Sequence, residues 1–268
     1  MIKTADNLNL FTKNYIIENA KGSLLIVHGL HEHCLRYQHL ALEMNKIGLN
    51  VYTYDHRGHG QSEGPKVLIK SVDEYRADIE IIYQNIPKNI PFFILGHSMG
   101  GLIVTDFVLA QNRTEIKGVI LSSPALAIGD DISPLLIKMA GFLGTVLPNL
   151  PTQKLDHNLI SRDINEVEKC LNDPLMYLGG TKAGLGKALI ERIKEVQPKF
   201  KNFNYSALIM HGTADQLANP KGSQLIYEEA SSINKTIKYW EGAYHELFNE
   251  TNKAEVIEYT KNWINKQF

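Results

Sequence analysis

Cysteine is scarce in this chain: Cys34 and Cys170 are the only two among 268 residues. Two thiols cannot build the disulfide framework of a small secreted domain. The opening segment Met-Ile-Lys-Thr-Ala-Asp-Asn-Leu has no apolar h-region, so no secretory signal is expected and a reducing cytoplasm is the expected setting. No run reaches the ~20 apolar residues that cross a bilayer. Excess charge of one sign is missing too. The 28 Lys and Arg against 29 Asp and Glu leave a net charge of -1, which offers no field to a nucleic acid. There is no internal repeat and no low-complexity linker. The length suits one large α/β domain, or a core with an insertion.

What is present is an alternation. Short apolar runs at 24–27, 51–54, 92–95, 119–121, 207–210 and 236–240 read as strands, most of them closed by Gly, Pro or polar residues. Helix-like stretches lie between and after them at 37–47, 72–85, 102–111, 223–230 and 254–266. Strand and helix in turn predict an α/β fold, a mostly parallel, twisted sheet flanked by helices, with its chemistry at the carboxyl ends of the strands. One spacing breaks the rhythm. Residues 122–206 separate two successive strands, where a crossover needs only about a dozen residues. We expect residues 1–124 and 199–268 to form the core and 125–198 an inserted helical cap (lid), with helices at 133–147 and 165–171 and a Gly-rich stretch at 177–186. From Ile132 to Leu147 only Lys138 is charged, and the helical wheel is apolar nearly all round. Such a helix either packs on the core or forms a lid whose apolar face lines an acyl tunnel or touches lipid, giving transient contact with a membrane surface.

The most informative motif is Gly96-His97-Ser98-Met99-Gly100. In this G-x-S-x-G pattern a buried strand turns at once into a helix, and glycines stand where β-carbons would collide. Ser98 is thereby held exposed on a strained backbone, as a nucleophile requires. A serine hydroxyl needs a positioned base, and the base needs an orienting carboxylate, in the chain order Ser, Asp, His. Of ten histidines only His245 lies beyond residue 211, and Asp215 is the last aspartate. Both follow strand-like runs. Elimination therefore gives Ser98, Asp215 and His245, with Asp130 and Asp131 as rival carboxylates. The oxyanion would be held by the backbone N–H of Met99 and, from the loop after the first parallel strand, that of Leu30. Spacing among His28, His31, His33, His56 and His59 matches no standard metal pattern, so neither metal nor cofactor is expected. Asp55, Arg57, His59 and Ser62 are read as a hydrogen-bonded loop supporting the nucleophile.

These residues resemble those of the monoacylglycerol lipase and lysophospholipase group of α/β-hydrolases. The markers are His28-Gly29 through Glu32-His33, Arg36-Tyr37, Tyr54 to Gly60 with Ser62-Glu63-Gly64, the elbow with Gly101, Asp173-Pro174-Leu175, His211-Gly212 with Asp215, and Gly242 to His245. The resemblance spans nearly the whole chain. It implies an α/β-hydrolase fold, a mobile cap, single-chain acyl esters as substrates, and the same triad. It also implies that Glu32 and Arg36 help form the polar end of the pocket, near a glycerol headgroup. One departure stands out: the animal enzymes carry a histidine three residues after the catalytic one, where this chain has Phe248.

The expected activity is hydrolysis of monoacylglycerols to fatty acid and glycerol through an acyl-serine. The alternatives are a lysophospholipase, a general carboxylesterase, an acyltransferase, or a catalytically silent ligand-binding module. For a peptidase, no acidic cluster awaits a peptide amino terminus in the sequence. Substrate headgroup, acyl length and oligomeric state are not written in these patterns.

Overall fold

A computed structural model describes residues 1–129 and 134–268, without the side chains of residues 134–137 and 153. In chain order the strands are β1 (Ile2–Lys3), β2 (Asn9–Leu10), β3 (Thr12–Tyr15), β4 (Gly22–Val27), β5 (Leu49–Tyr54), β6 (Phe92–His97), β7 (Ile116–Ser122), β8 (Pro151–Lys154), β9 (Gly180–Lys182), β10 (Ala207–Gly212) and β11 (Lys235–Trp240). The helices are α1 (Gln38–Lys46), α2 (Val72–Gln84), α3 (Met99–Ala110), α4 (Pro134–Val146), α5 (Ile164–Asn172), α6 (Ala183–Val196), α7 (Lys221–Glu229) and α8 (Lys253–Asn265).

Alternation within the strands explains the layers. Leu25, Val27, Ile94, Val119, Leu121 and Ile209 enter one core, together with α2, α3 and α6. Their neighbours Leu24, Ile26, Phe93, Leu95, Ile120, Leu208 and Met210 enter a second core, against α1 and α8. A strand apolar on both faces needs cover on both, and helices supply it. The seven strands of the main sheet run in the order β11-β10-β7-β6-β4-β5-β3. All neighbours are parallel except β3, which pairs antiparallel with β5. The carboxyl ends of β4, β6, β10 and β11 therefore open on one rim.

The six expected strands and the helices at 37–47, 72–85, 102–111, 223–230 and 254–266 are present, shifted by a few residues at their ends. Five strands and one helix among the described residues are additional to the sequence reading. Edge strand β3 reads Thr-Lys-Asn-Tyr and is half-exposed, so it lacks an apolar signature. The pairs β1–β2 and β8–β9 are too short to show a period. Helix α6 was hidden by Gly184 and Gly186, which lower helix propensity. A β-carbon on Gly184 would come within 2.8 Å of Leu68 and 3.0 Å of Pro148, so that glycine lets α6 pack closely. Buried Arg192 of α6 also pairs with Asp106 of α3 and Asp73 of α2, at 3.1 and 2.7 Å. Asp130, Asp131, Ile132 and Ser133 lie outside the described residues.

Candidate active site

Ser98 sits where β6 becomes α3, with φ 53° and ψ -119°. A non-glycine residue there is strained, and the surroundings enforce it. The Ser98 N–H donates to the Ser122 carbonyl, and its own carbonyl accepts from Gly101, Leu102 and Ala125. A β-carbon on Gly96 would meet the Gly100 carbonyl, and one on Gly100 would meet the carbonyls of Val27 and His28. The crossing of strand and helix is closed to any side chain at either position.

Two loops arrive beside this serine from neighbouring strands. After β10, the Ala214 N–H donates to the Ala243 carbonyl at 3.0 Å, and Gly242 donates to Thr213 Oγ1 at 2.7 Å. Gly212 lets the two loops touch, since a β-carbon there would meet the carbonyls of Ala243 and Tyr244. In consequence His245 Nε2 stands 2.8 Å from Ser98 Oγ, and its Nδ1 stands 2.7 Å from Asp215 Oδ2. Asp215 Oδ1 accepts the N–H groups of Leu217 and Ala218 at 2.8 and 3.0 Å. The structure brings together the three residues that the sequence elimination named.

Electrostatics follow from these contacts. Burial would raise the Asp215 pKa, but the charge of His245 and hydrogen bonds from His211 and His245 outweigh it and hold the carboxyl well below its usual range. Burial would lower the His245 pKa, yet the Asp215 charge and hydrogen bond raise it above the ordinary imidazole value. His97 packs 4.7 Å from the His245 ring and is pushed down to about 3 by burial and by that neighbour, so it stays neutral. An imidazole so placed and oriented can take the proton of Ser98.

A cavity of about 260 Å³ opens over Ser98. Its lining includes Leu30 and Met99, and neither backbone N–H has an acceptor among the described residues. Gly29 brings that loop close: a β-carbon there would lie 3.2 Å from Ser98 Cβ and 2.8 Å from Glu32 Oε1. Most of the remaining wall is apolar and comes from residues 125–198, among them Ile128, Leu155, Met176, Leu189 and Ile193.

The polar end differs from expectation. Glu32 lines the cavity, but Arg36 is absent from that lining and faces a neighbouring cavity instead. Its guanidinium grips Glu246 with two hydrogen bonds, at 2.5 and 2.7 Å, and reaches Glu32 Oε2 at 3.3 Å. Glu32 Oε1 accepts from the Gly29 N–H at 2.6 Å and from Tyr37 Oη at 2.8 Å. Burial and the Glu246 charge raise the Glu32 pKa against the pull of Arg36. Burial opposes ionisation of Glu246, but the Arg36 charge and hydrogen bonds hold its pKa low. Two carboxylates thus do reach the cavity, where the sequence had announced no acidic cluster. Glu246 was overlooked although it follows His245 directly. The available signal was its place in the sequence, next to His245.

The Asp55 loop also does something other than expected. Asp55 accepts from Cys34 and Gln61 amides, and Ser62 Oγ donates to the Asp55 carbonyl. The His56 N–H donates to His28 Nε2 at 2.9 Å. That loop braces the strand end before Leu30, and none of these bonds reaches Ser98. Arg57 points away, to Asp78, Glu74 and Asp6. His33 pairs with Asp173 at 2.8 Å, and His31 faces Thr181 at 3.1 Å.

Known proteins of similar sequence and shape bear on this geometry. A family model described as Hydrolase_4, serine aminopeptidase, S33, matches residues 18–252. A monoacylglycerol lipase of Mycolicibacterium smegmatis is 34% identical over 247 residues, covering 91% of this chain and 88% of its own. The monoglyceride lipase of Mus musculus is 34% identical over 267 residues, covering 97% and 88%. Among solved structures, a monoacylglycerol lipase of Paleococcus ferrophilus superposes with a TM-score of 0.88 at 30% identity, over 97% of this chain and 100% of that one.

Proposed function

Because the chain belongs to the Hydrolase_4 (serine aminopeptidase, S33) family and has the α/β-hydrolase fold, we propose that it is a serine ester hydrolase cleaving monoacylglycerols. The observation that carries this reading is the line of contacts Ser98 Oγ, His245 Nε2, His245 Nδ1, Asp215 Oδ2 beneath a mostly apolar cavity. Relatives named monoacylglycerol or monoglyceride lipases supply the substrate class.

In this mechanism Ser98 Oγ attacks the ester carbonyl while its proton passes to His245 Nε2. The Leu30 and Met99 N–H groups hold the resulting oxyanion. Collapse of the tetrahedral intermediate breaks the ester C–O bond, and His245 returns the proton to the departing glycerol oxygen. Water, deprotonated by His245, then attacks the acyl-Ser98, and the fatty acid leaves as Ser98 regains its proton. Asp215 keeps Nδ1 protonated and stabilises the transient imidazolium.

Glu32 and Glu246 supply acceptors for hydroxyls of an uncharged headgroup, with Arg36 bridging the two carboxylates from behind. The bridge also leaves little free negative charge for a peptide ammonium, which favours esters over aminopeptidase chemistry. We read residues 125–198 as the cap, since they furnish much of the apolar wall. The outer side of α4 and its continuation expose Met139, Phe142, Val146, Leu147 and Leu150, which supports contact with a lipid surface. No helix among the described residues is long and apolar enough to cross a membrane.

The test is hydrolysis of monoacylglycerols, lysophosphatidylcholine and short aryl esters across several chain lengths, with fluorophosphonate labelling alongside. Turnover of long-chain monoacylglycerols and labelling lost in Ser98→Ala support the proposal. Turnover of short aryl esters alone, or of lysophosphatidylcholine in preference, overturns the substrate assignment. A wild-type protein that does not label overturns the enzyme.

A further inference from the structure

A second imidazole stands behind Asp215. His211, near the end of β10, is fully buried, and its Nε2 lies 3.0 Å from Asp215 Oδ2. That oxygen is the one that faces His245 Nδ1 from the other side. The same Nε2 lies 3.2 Å from the Ala218 carbonyl. A carboxylate and a carbonyl can only accept, so Nε2 carries the proton and Nδ1 carries the lone pair. Ser223 Oγ, fully buried on α7, is 2.8 Å from Nδ1 and donates to it. Ser223 thereby selects the tautomer, as the partner of one ring nitrogen does for the other.

We propose that His211 is a positioning residue for the hydrolase: held by Ser223, its Nε2–H pins Asp215 Oδ2 toward His245 and draws off part of the carboxylate's charge. The proposal rests on the reading of Ser98, His245 and Asp215 as the triad. With His211 present, two backbone amides donate to Oδ1, His245 Nδ1 lies 2.7 Å from Oδ2, and His211 Nε2, shared with the Ala218 carbonyl, stands 3.0 Å from the same oxygen. Without it, Oδ2 has one partner, rotation about Cβ–Cγ is freer, and the full carboxylate charge bears on His245. The remaining groups that face His245 are His97, Glu246 and Glu32. Each acts on His245 from the cavity side, and none can replace a donor on Asp215. Nothing in the proposed reaction otherwise uses His211, so its burial on a polar partner calls for a role of this kind.

The experiment measures kcat, KM and the pH dependence of kcat/KM on an aryl ester for wild type, His211→Phe, His211→Gln and Ser223→Ala. In His211→Phe we expect kcat to fall about tenfold or more, as for loss of a hydrogen bond to a charged group, with KM within about twofold. Its acid limb should move up by about half a pH unit or more, because His245 binds its proton more tightly. His211→Gln, whose amide still donates, should restore the limb and most of kcat. Ser223→Ala should shift in the same direction by less. A folded His211→Phe with the wild-type acid limb and kcat overturns the proposal. So does a His211→Gln as impaired as the Phe variant. If His211→Phe does not fold, an unmoved limb in Ser223→Ala overturns it. Labelling of wild type by a fluorophosphonate, abolished in Ser98→Ala, is read separately. Its failure would sink the triad and not the geometry around His211.

Discussion

Arg36 and Glu246 meet through two parallel hydrogen bonds, Nη1 to Oε1 at 2.5 Å and Nη2 to Oε2 at 2.7 Å, although 210 positions separate them. The pair ties the loop that carries Leu30 to the loop that carries His245. Glu32 extends the tie, since it contacts Arg36 on one side and the Gly29 N–H on the other.

Arg36→Met strands two buried carboxylates. Removing one partner of a buried ion pair costs about 3–5 kcal/mol, because the other charge is left uncompensated. Urea unfolding should report a loss of that size. Glu246→Gln in the same chain should recover part of it, by removing the stranded charge. Equal stability of the single and double variants would contradict the pairing.

Asp215→Ala and His245→Ala should each leave a folded protein with activity lowered by about 10³-fold or more. The wild-type kcat/KM should rise with pH through the His245 pKa, because the imidazolium cannot accept the Ser98 proton. Asp215 raises that pKa above the ordinary value near 6.5, so the acid limb belongs above it. A limb well below 6.5, or near-normal turnover in either variant, would count against these roles.

Stability should fall on the acid side well before carboxylates titrate. His31, His56 and His97 are pushed down to about 3 and His59 to about 4, all chiefly by burial, and His28 is lowered as well. Below about pH 6.5 the unfolded chain takes up protons that these native imidazoles refuse. Each such proton lowers stability by about 1.4 kcal/mol per pH unit. His245 and Glu32, the latter raised by burial to about 7, oppose them, but they are two groups against five, and burial lowers His39 and His157 as well. Asp215 adds its own loss only as pH falls below about 3.9. Urea midpoints should therefore drop between pH 7.5 and 5.5 with a slope of more than one proton. A flat profile would contradict the burial.

Two glycine replacements should act in opposite directions. Gly100→Ala drives a β-carbon into the carbonyls of Val27 and His28, which belong to backbone and cannot give way cheaply. We expect that variant to be insoluble or to lose several kcal/mol, on the order of an overpacked core. Gly186→Ala adds a methyl to α6 where nothing lies within 4 Å. It should gain about 0.5–1 kcal/mol from helix propensity and unfolded-state entropy. Thermal unfolding distinguishes the two.

Local chemistry made much of this molecule legible in its sequence. The elbow glycines, the apolar strand cores and the chain order of Ser98, Asp215 and His245 each depend on neighbours a few residues away or on a fixed rim of the sheet. Helix α6 and strand β3 were not legible, because what stabilises them is packing: Gly184 against Leu68 and Pro148, and β3 against the edge of β5. The same holds at the site. Arg36 was foreseen at the polar end of the pocket, but its direction was decided by Glu246, a carboxylate delivered from another loop. In the sequence His211 is only a marker beside Gly212. Its partners Asp215 and Ser223 lie four and twelve residues on, on a loop and a helix that fold back over it. The sequence by itself determined the strained serine proposed as nucleophile and the sheet that presents it, since both follow from backbone sterics and hydrophobic alternation. Only the tertiary structure decided which buried charges and tautomers surround that group, because those are settled by the distances between segments far apart in the chain.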